Sequence, residues 1–507
     1  MKLLKKIKGR TFFYAVAIII QLAFLVLILS LAGTSKLWVF VLLEFLSFLM
    51  AVHVINSESN PSVKLAWIVP LLVFPLFGGV IYVLFGMKHP IRDRKFLYRN
   101  ADELTSKYVA DDTDVMNELE TIDPHAAGQC RYLSNNGFPV FRHTKTSYYP
   151  LGDDNFPILL EKLEGAKRFI FMEYFIIERG EMWDSILEIL KRKASEGLDV
   201  RLIYDDVGCL FKLPDKYEKE LESYGIKCLV FNRFRPFLSI IMNNRDHRKI
   251  TVIDGNIGFT GGINLADEYI NKASKFGHWK DTGVMIEGEA VRNLTLLFLN
   301  QWNVTHTEDI ELEKFMPTED CKDIESDGFV QPYGDSPLDN EICAENVYLN
   351  IINNSKKYLY IFTPYLIIDN ETVTALTLAA KRGVDVRIIT PGIPDKKIVY
   401  QLTRSYYPVL IKHGVKIYEY TPGFVHAKSF VCDDEIATVG SINLDYRSLY
   451  LHFECGCFFY KSSIVKEVKE DFLKTLERST PAKQMSIRTG ALGQIWYALL
   501  RLFSPLV

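Results

Sequence analysis

The stretch HAKSFVCDDEIATVGSIN, residues 426–443, repeats in altered form the earlier stretch HRKITVIDGNIGFTGGIN, residues 247–264. Both fit the pattern H-x-K-x4-D-x6-G-[GS]-x-N with identical internal spacing. The similarity extends upstream, because residues 165–204 and 354–389 each read as an apolar strand, an amphipathic helix and a second strand. That order is typical of a βαβ unit with a right-handed crossover. The repeat therefore predicts an α/β fold in which two copies of one domain pack with pseudo-twofold symmetry.

Each copy of the motif carries a histidine and a lysine two residues apart on a predicted strand. Side chains at this spacing project from the same face of the strand. Two such faces, brought together, would give a pocket with two imidazoles and two ammonium groups. The lysines can offset the negative charge of a phosphodiester, while one imidazole attacks phosphorus and the other protonates the leaving alkoxide. The predicted catalytic pairs are His247 with Lys249 and His426 with Lys428.

Other polar residues near the two motifs complete the predicted site. A carboxylate behind each imidazole would fix its tautomer and orientation, and Asp281 and Glu454 are the candidates, with surface ion pairing as the alternative. We also include Asp254 and Asp433 in the catalytic set, as turn residues that anchor the lysines. The remaining candidates, for phosphate contact or for turn structure, are Asn264, Asn443 and Ser441.

The composition limits the partners and cofactors of this chain. At 507 residues it is long enough for two domains with sizeable cores. Its net charge of −3 provides no global basic field of the kind that attracts nucleic acid. Its eight cysteines show no metal-ligand or disulfide-scaffold spacing. We therefore expect no nucleic-acid partner, no metal and no cofactor. The histidines outside the two motifs, among them His278 and His452, are expected to be structural or solvated.

The amino-terminal region differs from the rest of the chain. Thr11–Ala32, Leu37–Ile55 and Leu65–Gly86 are apolar, and each approaches the ~20 residues that a helix needs to cross a bilayer. A cleaved signal peptide is the alternative, but the first apolar run is too long for a signal core and two more follow it. Basic clusters flank the three segments, so an even number of crossings would satisfy the positive-inside rule. The sequence predicts a multi-pass membrane anchor with two or three hydrophobic segments and a cytoplasmic catalytic part.

The boundaries of the predicted regions follow from these patterns. The carboxy-terminal tail is basic and rich in aromatic residues, which suits an anionic bilayer surface, although an ordinary packed helix is the alternative. The predicted regions are a helical membrane anchor at 1–99, a linker at 100–128, α/β domains at 129–315 and 316–480, and an amphipathic tail at 481–507.

These motifs resemble the phospholipase D superfamily and, within it, the bacterial cardiolipin synthase family. The resemblance also rests on HWKDTGVMIEG (278–288), GSINLDYRSL (440–449), KLAWIVPLLVFPLFGGVIYVLFG (64–86) and the final RLFSPLV. It implies two phospholipase D-like domains. It also implies transfer of a phosphatidyl group between two phosphatidylglycerol molecules, which yields cardiolipin and glycerol. The implied partners are these two lipids and anionic membrane lipid, and the implied location is the bacterial cell membrane.

The resemblance further implies a phosphatidyl-histidine intermediate and no metal. We choose His247 as the nucleophile and His426 as the acid and base, and the sequence leaves the reverse assignment and the oligomeric state open. One alternative is a membrane-anchored phospholipase D that uses water as the acceptor. A nuclease is disfavoured by net charge and hydrophobic segments. A non-catalytic lipid-binding protein would require decay of one motif, and both are intact.

Overall fold

The computed structural model describes residues 37–74, 78–79, 81–86, 92–234, 244–306, 311–339, 341–482 and 491–506. These residues divide between two compact units. The smaller unit lies within 1–92, 232–244 and 491–507, and the larger lies within 93–231 and 245–490.

The smaller unit is helical. Its helices are Leu37–Ile55, Pro61–Val73 and Ala491–Phe503, and a π-helical turn spans Tyr82–Gly86. Asn60 caps the second helix by accepting a hydrogen bond from the backbone N–H of Ser62, and Pro61 occupies the first helical position, where no N–H is required. The side chains that pack together as its core include Ala51, Val54, Trp67, Leu71 and Tyr82.

The membrane segments predicted from the sequence differ from these helices. Leu65–Gly86 is not one continuous helix, because the helix that contains it ends at Val73, three residues after Pro70. Leu37–Ile55 is helical but carries the charged Glu44. Within the described ranges, no helix combines the length and the apolar character needed to cross a bilayer. The predicted multi-pass anchor is therefore not supported there, and Thr11–Ala32 lies outside the described residues.

The larger unit contains two α/β halves built on one plan. The strands of the first half are β1 (Thr144–Tyr149), β2 (Phe169–Tyr174), β3 (Asp199–Asp205), β4 (Lys227–Phe231), β5 (Lys249–Ile253), β6 (Ile257–Gly261), β7 (His278–Lys280) and β8 (Gly283–Gly288). Those of the second half are β9 (Phe329–Asp335), β10 (Tyr358–Phe362), β11 (Leu366–Ile367), β12 (Asp385–Pro391), β13 (Lys416–Tyr420), β14 (Gly423–Val425), β15 (Ser429–Cys432), β16 (Ile436–Gly440), β17 (Leu444–Asp445), β18 (Glu454–Tyr460) and β19 (Ser479–Pro481).

The two main sheets have the same strand order. The first is β1-β8-β6-β5-β2-β3-β4, and the second is β19-β13-β12-β10-β15-β16-β18-β9. Read from its opposite end, the second sheet matches the first strand for strand and adds β19 at its edge. In each sheet three strands are parallel and the motif strands form antiparallel pairs. The duplicated α/β fold expected from the repeat is confirmed.

Helices connect and cover these sheets. The helix Glu181–Ser195, which links β2 to β3, buries Met182, Trp183, Ile186 and Leu190 against the sheet, as its apolar spacing predicts. Those before β9 are Arg92–Thr105, Thr113–Ile122, Pro124–Asn135, Gly152–Glu164, Glu181–Ser195, Asp206–Cys209, Tyr217–Ser223 and Val291–Asn303. Those after β9 are Cys343–Asn354, Asn370–Lys381, Lys397–Lys412, Tyr446–Tyr450 and Ile464–Glu477. Much of the predicted linker at 100–128 is thus helical.

The two halves exchange backbone hydrogen bonds at their motifs. Strand β7 of the first half pairs in parallel with β14 of the second half, directly before the second motif. The backbone N–H of His426 donates to the carbonyl of Lys280 (2.7 Å), and that of His247 donates to the carbonyl of Phe453 (2.9 Å). Each motif histidine is therefore held by the backbone of the opposite half, which makes the pseudo-twofold arrangement a property of the site.

Candidate active site

His247 is held by a carboxylate of the second half. Its Nδ1 lies 2.9 Å from Oε1 and 3.0 Å from Oε2 of Glu454, a residue with no solvent exposure. The Ser441 hydroxyl donates to Oε2 of the same carboxylate at 2.5 Å. Because Nδ1 is engaged, Nε2 is the ring atom left to react.

His426 is held in the same way by a carboxylate of the first half. Its Nδ1 lies 2.6 Å from Oδ2 of Asp281, which is also fully buried. Gly262 occupies the position equivalent to Ser441, and a Cβ atom there would lie 2.0 Å from Oδ1 of Asp281. Glycine is therefore required for the carboxylate to fit. Asp281 and Glu454 lie behind the rings as expected, but each serves the histidine of the other half.

Both motif lysines are buried beside the histidines. Lys249 donates to the backbone carbonyl of His247, and Lys428 donates to that of His426. The ammonium group of Lys428 also lies 2.8 Å from Nδ1 of His426. Burial lowers the pKa of Lys249 to about 8 and that of Lys428 to about 7. A bound phosphate would favour the charged forms again, so the two lysines form a site for an anion.

The protonation states of the two histidine–carboxylate pairs differ. Burial, followed by the nearby lysines, holds the pKa of His247 well below its usual value, and burial lowers the pKa of His426 to about 4. Burial raises the pKa of Glu454 to about 7. Burial also acts to raise the pKa of Asp281, but the charges of His426 and Lys428 outweigh it and hold that pKa below its usual value. The His247–Glu454 pair therefore keeps a proton near neutral pH more readily than the His426–Asp281 pair.

Asp254 and Asp433 do not contact the lysines. The Asp254 carboxylate accepts hydrogen bonds from three successive backbone N–H groups, those of residues 167–169, at 2.7–2.9 Å. Asp433 does the same for residues 356–358 at 2.6–2.9 Å. Both residues lie at the far end of the motif strand, where they hold the start of the neighbouring strand. The expected anchoring of the lysines is therefore not formed, and the contacts are those of structural residues.

The two motif asparagines have different surroundings. The Asn264 amide is occupied, because its oxygen accepts from the backbone N–H of Ile176 (3.0 Å) and its nitrogen donates to the hydroxyl of Tyr269 (2.7 Å). The buried Oδ1 of Asn443 has no hydrogen-bond partner among the described residues. Turn structure therefore accounts for Asn264, while Asn443 keeps an unsatisfied polar atom beside the second motif.

A ring covers each catalytic histidine at equivalent positions, which the sequence analysis missed. The His452 ring lies 5.6 Å from that of His247, and the Trp279 ring lies 5.4 Å from that of His426, both at 41°. The signal was in the sequence, because each residue stands two positions before the carboxylate of its half. His452 was expected to be structural or solvated, yet it lies in the site and differs in chemistry from its counterpart.

Buried charges next to His247 have no counterpart in the second half. The Arg248 guanidinium lies 2.6 Å from Glu173 and 3.0 Å from Asp246, and all three side chains are nearly inaccessible. The equivalent residues in the second half are all apolar: Phe362, Val425 and Ala427. The strand that carries His247 thus rests on an ionic cluster, whereas the strand that carries His426 rests on hydrophobic packing.

The chemistry of the site favours an anion over a metal ion. Atoms of His247, His452 and Glu454 lie within 4.8 Å of one another, a spacing that a metal could exploit. However, cationic groups face the same space, and the Lys249 charge is among those that lower the pKa of both histidines. A divalent cation would add to this positive charge, whereas a phosphodiester would be stabilised by it.

Comparison with known proteins identifies the family. Residues 159–295 and 348–476 match the family described as "Cardiolipin synthase, PLD-like domain". Residues 45–86 match "Phospholipase_D-nuclease N-terminal". An uncharacterized protein of Streptococcus mutans is 44% identical over 90% of this chain and 99% of its own length. Cardiolipin synthases of Halalkalibacterium halodurans and Geobacillus kaustophilus are each 35% identical, over 92% and 96% of this chain and 93% and 99% of their own lengths.

A solved structure has the same fold. Phosphatidylserine synthase from Haemophilus influenzae matches 74% of this chain and 97% of its own length with a TM-score of 0.56. At 15% sequence identity this likeness concerns the fold alone. The family matches and the full-length relatives nevertheless agree with the doubled histidine–lysine site, and the chain belongs to the cardiolipin synthase family of phospholipase D-like phosphatidyltransferases.

Proposed function

We propose that this enzyme transfers a phosphatidyl group from one phosphatidylglycerol molecule to another, giving cardiolipin and glycerol. The observation that carries the proposal is the pair of histidines, each backed by a buried carboxylate of the opposite half, around two buried lysines. Cardiolipin synthase is also the name of relatives that align over nearly the whole chain.

The reaction proceeds in two displacements at one phosphorus atom. In the first, Nε2 of one histidine attacks phosphorus, the bond to the glycerol oxygen breaks, and the opposite imidazolium donates its proton to that oxygen. In the second, the hydroxyl of another phosphatidylglycerol attacks the phosphatidyl-histidine. The phosphorus–nitrogen bond then breaks, and the neutral opposite histidine accepts the hydroxyl proton. Each histidine is thus returned to its starting state.

The remaining residues support these displacements. Lys249 and Lys428 offset charge on the non-bridging phosphate oxygens, which would otherwise repel the nucleophile. Asp281 and Glu454 orient the rings through Nδ1 and stabilise the imidazolium forms. Asn443, with its unsatisfied Oδ1, is the motif asparagine better suited to a contact with substrate. Catalysis by this set calls for neither a metal nor another cofactor.

We further propose that the enzyme works at the bacterial cell membrane, with its catalytic part on the cytoplasmic side. The helix Leu37–Ile55 exposes large apolar side chains, among them Val41, Phe45 and Phe48 at more than half of their surface. The tail helix likewise exposes Ile495 and Trp496. Such surfaces suit contact with lipid, which is where both substrates are found. The domain boundaries given from the sequence remain predictions.

Product analysis tests the proposed reaction. Purified full-length enzyme would be incubated with vesicles of phosphatidylglycerol labelled in the headgroup and in the acyl chains. We expect labelled cardiolipin and free glycerol in equal amounts. Phosphatidic acid with glycerol, and no cardiolipin, would instead identify a phospholipase D that uses water, and it would contradict the proposal.

A further inference from the structure

A cluster of polar side chains lies beside His247 and is not needed to hold the reacting phosphate. It consists of Arg245, Arg447 and His452. The backbone N–H of His452 donates to the carbonyl of Arg447, and the N–H of Phe453 donates to the carbonyl of Arg245, both at 2.9 Å. These bonds bring residues of both halves together at the Glu454 side of the site.

His452 has no partner of its own within this cluster. Its side chain is 10% exposed, and neither ring nitrogen has a hydrogen-bond partner among the residues that the structure describes. Unsatisfied buried polar groups are rare in native structures, and each indicates strain or a missing ligand. Burial, His247 and the two arginines lower the pKa of His452, so its ring is neutral and can donate from one nitrogen.

The charge of the cluster is only partly compensated. Arg245 is buried and pairs with Asp205 at 3.3 Å. Arg447 is half-buried, and burial lowers its pKa, with Asp445 opposing the effect and Arg245 adding to it. Two guanidinium groups and a ring N–H in this arrangement suit an anion, because arginine offers planar donors that match phosphate oxygens.

The equivalent positions beside His426 carry no such cluster. Arg245 corresponds to Phe424, His452 to Trp279, and Arg447 to Glu268, which occupies the same point in the turn after the motif. Two aromatic rings and a carboxylate would not hold a phosphate. The pseudo-twofold site therefore has one side built for an additional anion and one side that is not.

The proposed reaction requires such an additional anion site. The acceptor lipid carries its own phosphate, separated from the attacking hydroxyl by one three-carbon glycerol unit, and this phosphate is not transferred. We infer that Arg245, Arg447 and His452 bind the phosphate of the acceptor phosphatidylglycerol, and that they thereby favour a phospholipid over water as the acceptor. This inference rests on the proposed function.

The position of this subsite also assigns the two histidines. In an in-line reaction the acceptor hydroxyl enters from the side opposite the nucleophile, next to the histidine that takes its proton. Since the cluster lies beside His247, His247 is the acid and base and His426 is the nucleophile, the reverse of the choice made from the sequence. The retained proton of the His247–Glu454 pair agrees with this assignment.

The subsite is tested by competition between two acceptors. Vesicles of phosphatidylglycerol would be supplied with ethanol, an acceptor without a phosphate, and the ratio of cardiolipin to phosphatidylethanol measured. We expect Arg447→Met, and His452→Trp, which copies the other half, to lower this ratio about tenfold or more, since a hydrogen bond to a charged group contributes roughly 1.5–3 kcal/mol. Arg404→Met removes a half-buried arginine paired with Glu419 and serves as the matched control.

The outcomes separate this inference from the proposed function. If the wild-type enzyme forms cardiolipin and both variants keep its product ratio, the subsite assignment is overturned while the proposed function stands. If the wild type forms no cardiolipin, the proposed function itself fails.

The histidine assignment is tested with a donor whose p-nitrophenol leaving group needs no acid. His247→Ala should release one equivalent of p-nitrophenol and carry a phosphatidyl adduct on His426, detected by mass spectrometry after an alkaline quench. His426→Ala should give neither. An adduct on His247 in the second variant would place the acceptor on the other side and overturn the inference.

Discussion

The two halves of the larger unit have the same strand order and the same reacting groups, but different surroundings for the two histidines. His426 is enclosed by the rings of Tyr269, Trp279 and Phe424. His247 has the His452 ring, two nearby arginines and the buried Arg248 cluster. The comparison teaches that duplication supplied two copies of the histidine–lysine pair, and that divergence then acted on the residues around them. A symmetric pair of groups can thus perform two unequal steps.

The largest expected effect comes from removing either histidine. With phosphatidylglycerol as the donor, His247→Ala and His426→Ala should each lower cardiolipin formation by at least about 10³-fold, because both attack and proton transfer are needed in every turnover. The measurement is initial rates with folded variants, verified by circular dichroism. Near-full activity in either variant would rule out the paired-histidine mechanism.

The crossed carboxylates should give the next largest effect. Asp281→Asn and Glu454→Gln keep the size of each side chain but remove the charge that orients the histidine of the other half, and a loss of about 10²–10³ in kcat is expected. With the p-nitrophenol donor, Asp281→Asn should slow the burst, whereas Glu454→Gln should leave the burst and slow the turnover that follows. Equal effects on both phases in both variants would contradict the crossed pairing.

The ionic cluster next to His247 should affect stability. Arg248→Met leaves Glu173 and Asp246 without their cation, and it should lower the free energy of unfolding by about 3–5 kcal/mol. The triple variant Glu173→Phe, Asp246→Val, Arg248→Ala copies the second half and should recover most of that loss. Denaturant unfolding of the single and triple variants provides the measurement. A triple variant less stable than Arg248→Met would show that the two halves cannot exchange this feature.

The smallest effect concerns pH. The pKa of Lys428 is about 7 and that of Lys249 about 8, so both lysines are charged below neutral pH and lose their protons as pH rises through these values. Phosphate binding, measured as kcat/KM, should therefore fall on the alkaline side. Lys428→Arg should move that fall upward towards the pKa of Lys249, because arginine stays charged. An unchanged alkaline limb in this variant would exclude Lys428 as its cause.

Much of the fold could be predicted from the sequence, since two long stretches with the same spacing and the same strand–helix–strand order require one shared architecture. The buried carboxylates could also be predicted as a pair. Their crossing could not, because a linear spacing does not say which half faces which histidine. Asp254 and Asp433 were misjudged for a physical reason: five residues of extended strand span about 16 Å, so a carboxylate at one end does not reach a lysine at the other.

The surroundings of the histidines were harder to predict. His452 looked like one of several unremarkable histidines, because its relation to Trp279 becomes visible only when the strands β7 and β14 are seen to join the halves. The predicted membrane segments followed hydropathy alone, and hydropathy does not report where Pro70 and the residues after it interrupt a helix.

The crossing of the carboxylates also determines how this protein can change over time. Glu454 fits with Ser441 and serves His247, whereas Asp281 fits only with Gly262 and serves His426. Residues that must vary together therefore lie in different halves of the chain. A recombination that exchanged one half for that of a relative would separate each histidine from the carboxylate matched to it in length. The duplicated halves are consequently inherited as a single unit, and chimeras should be designed around the crossed pairs.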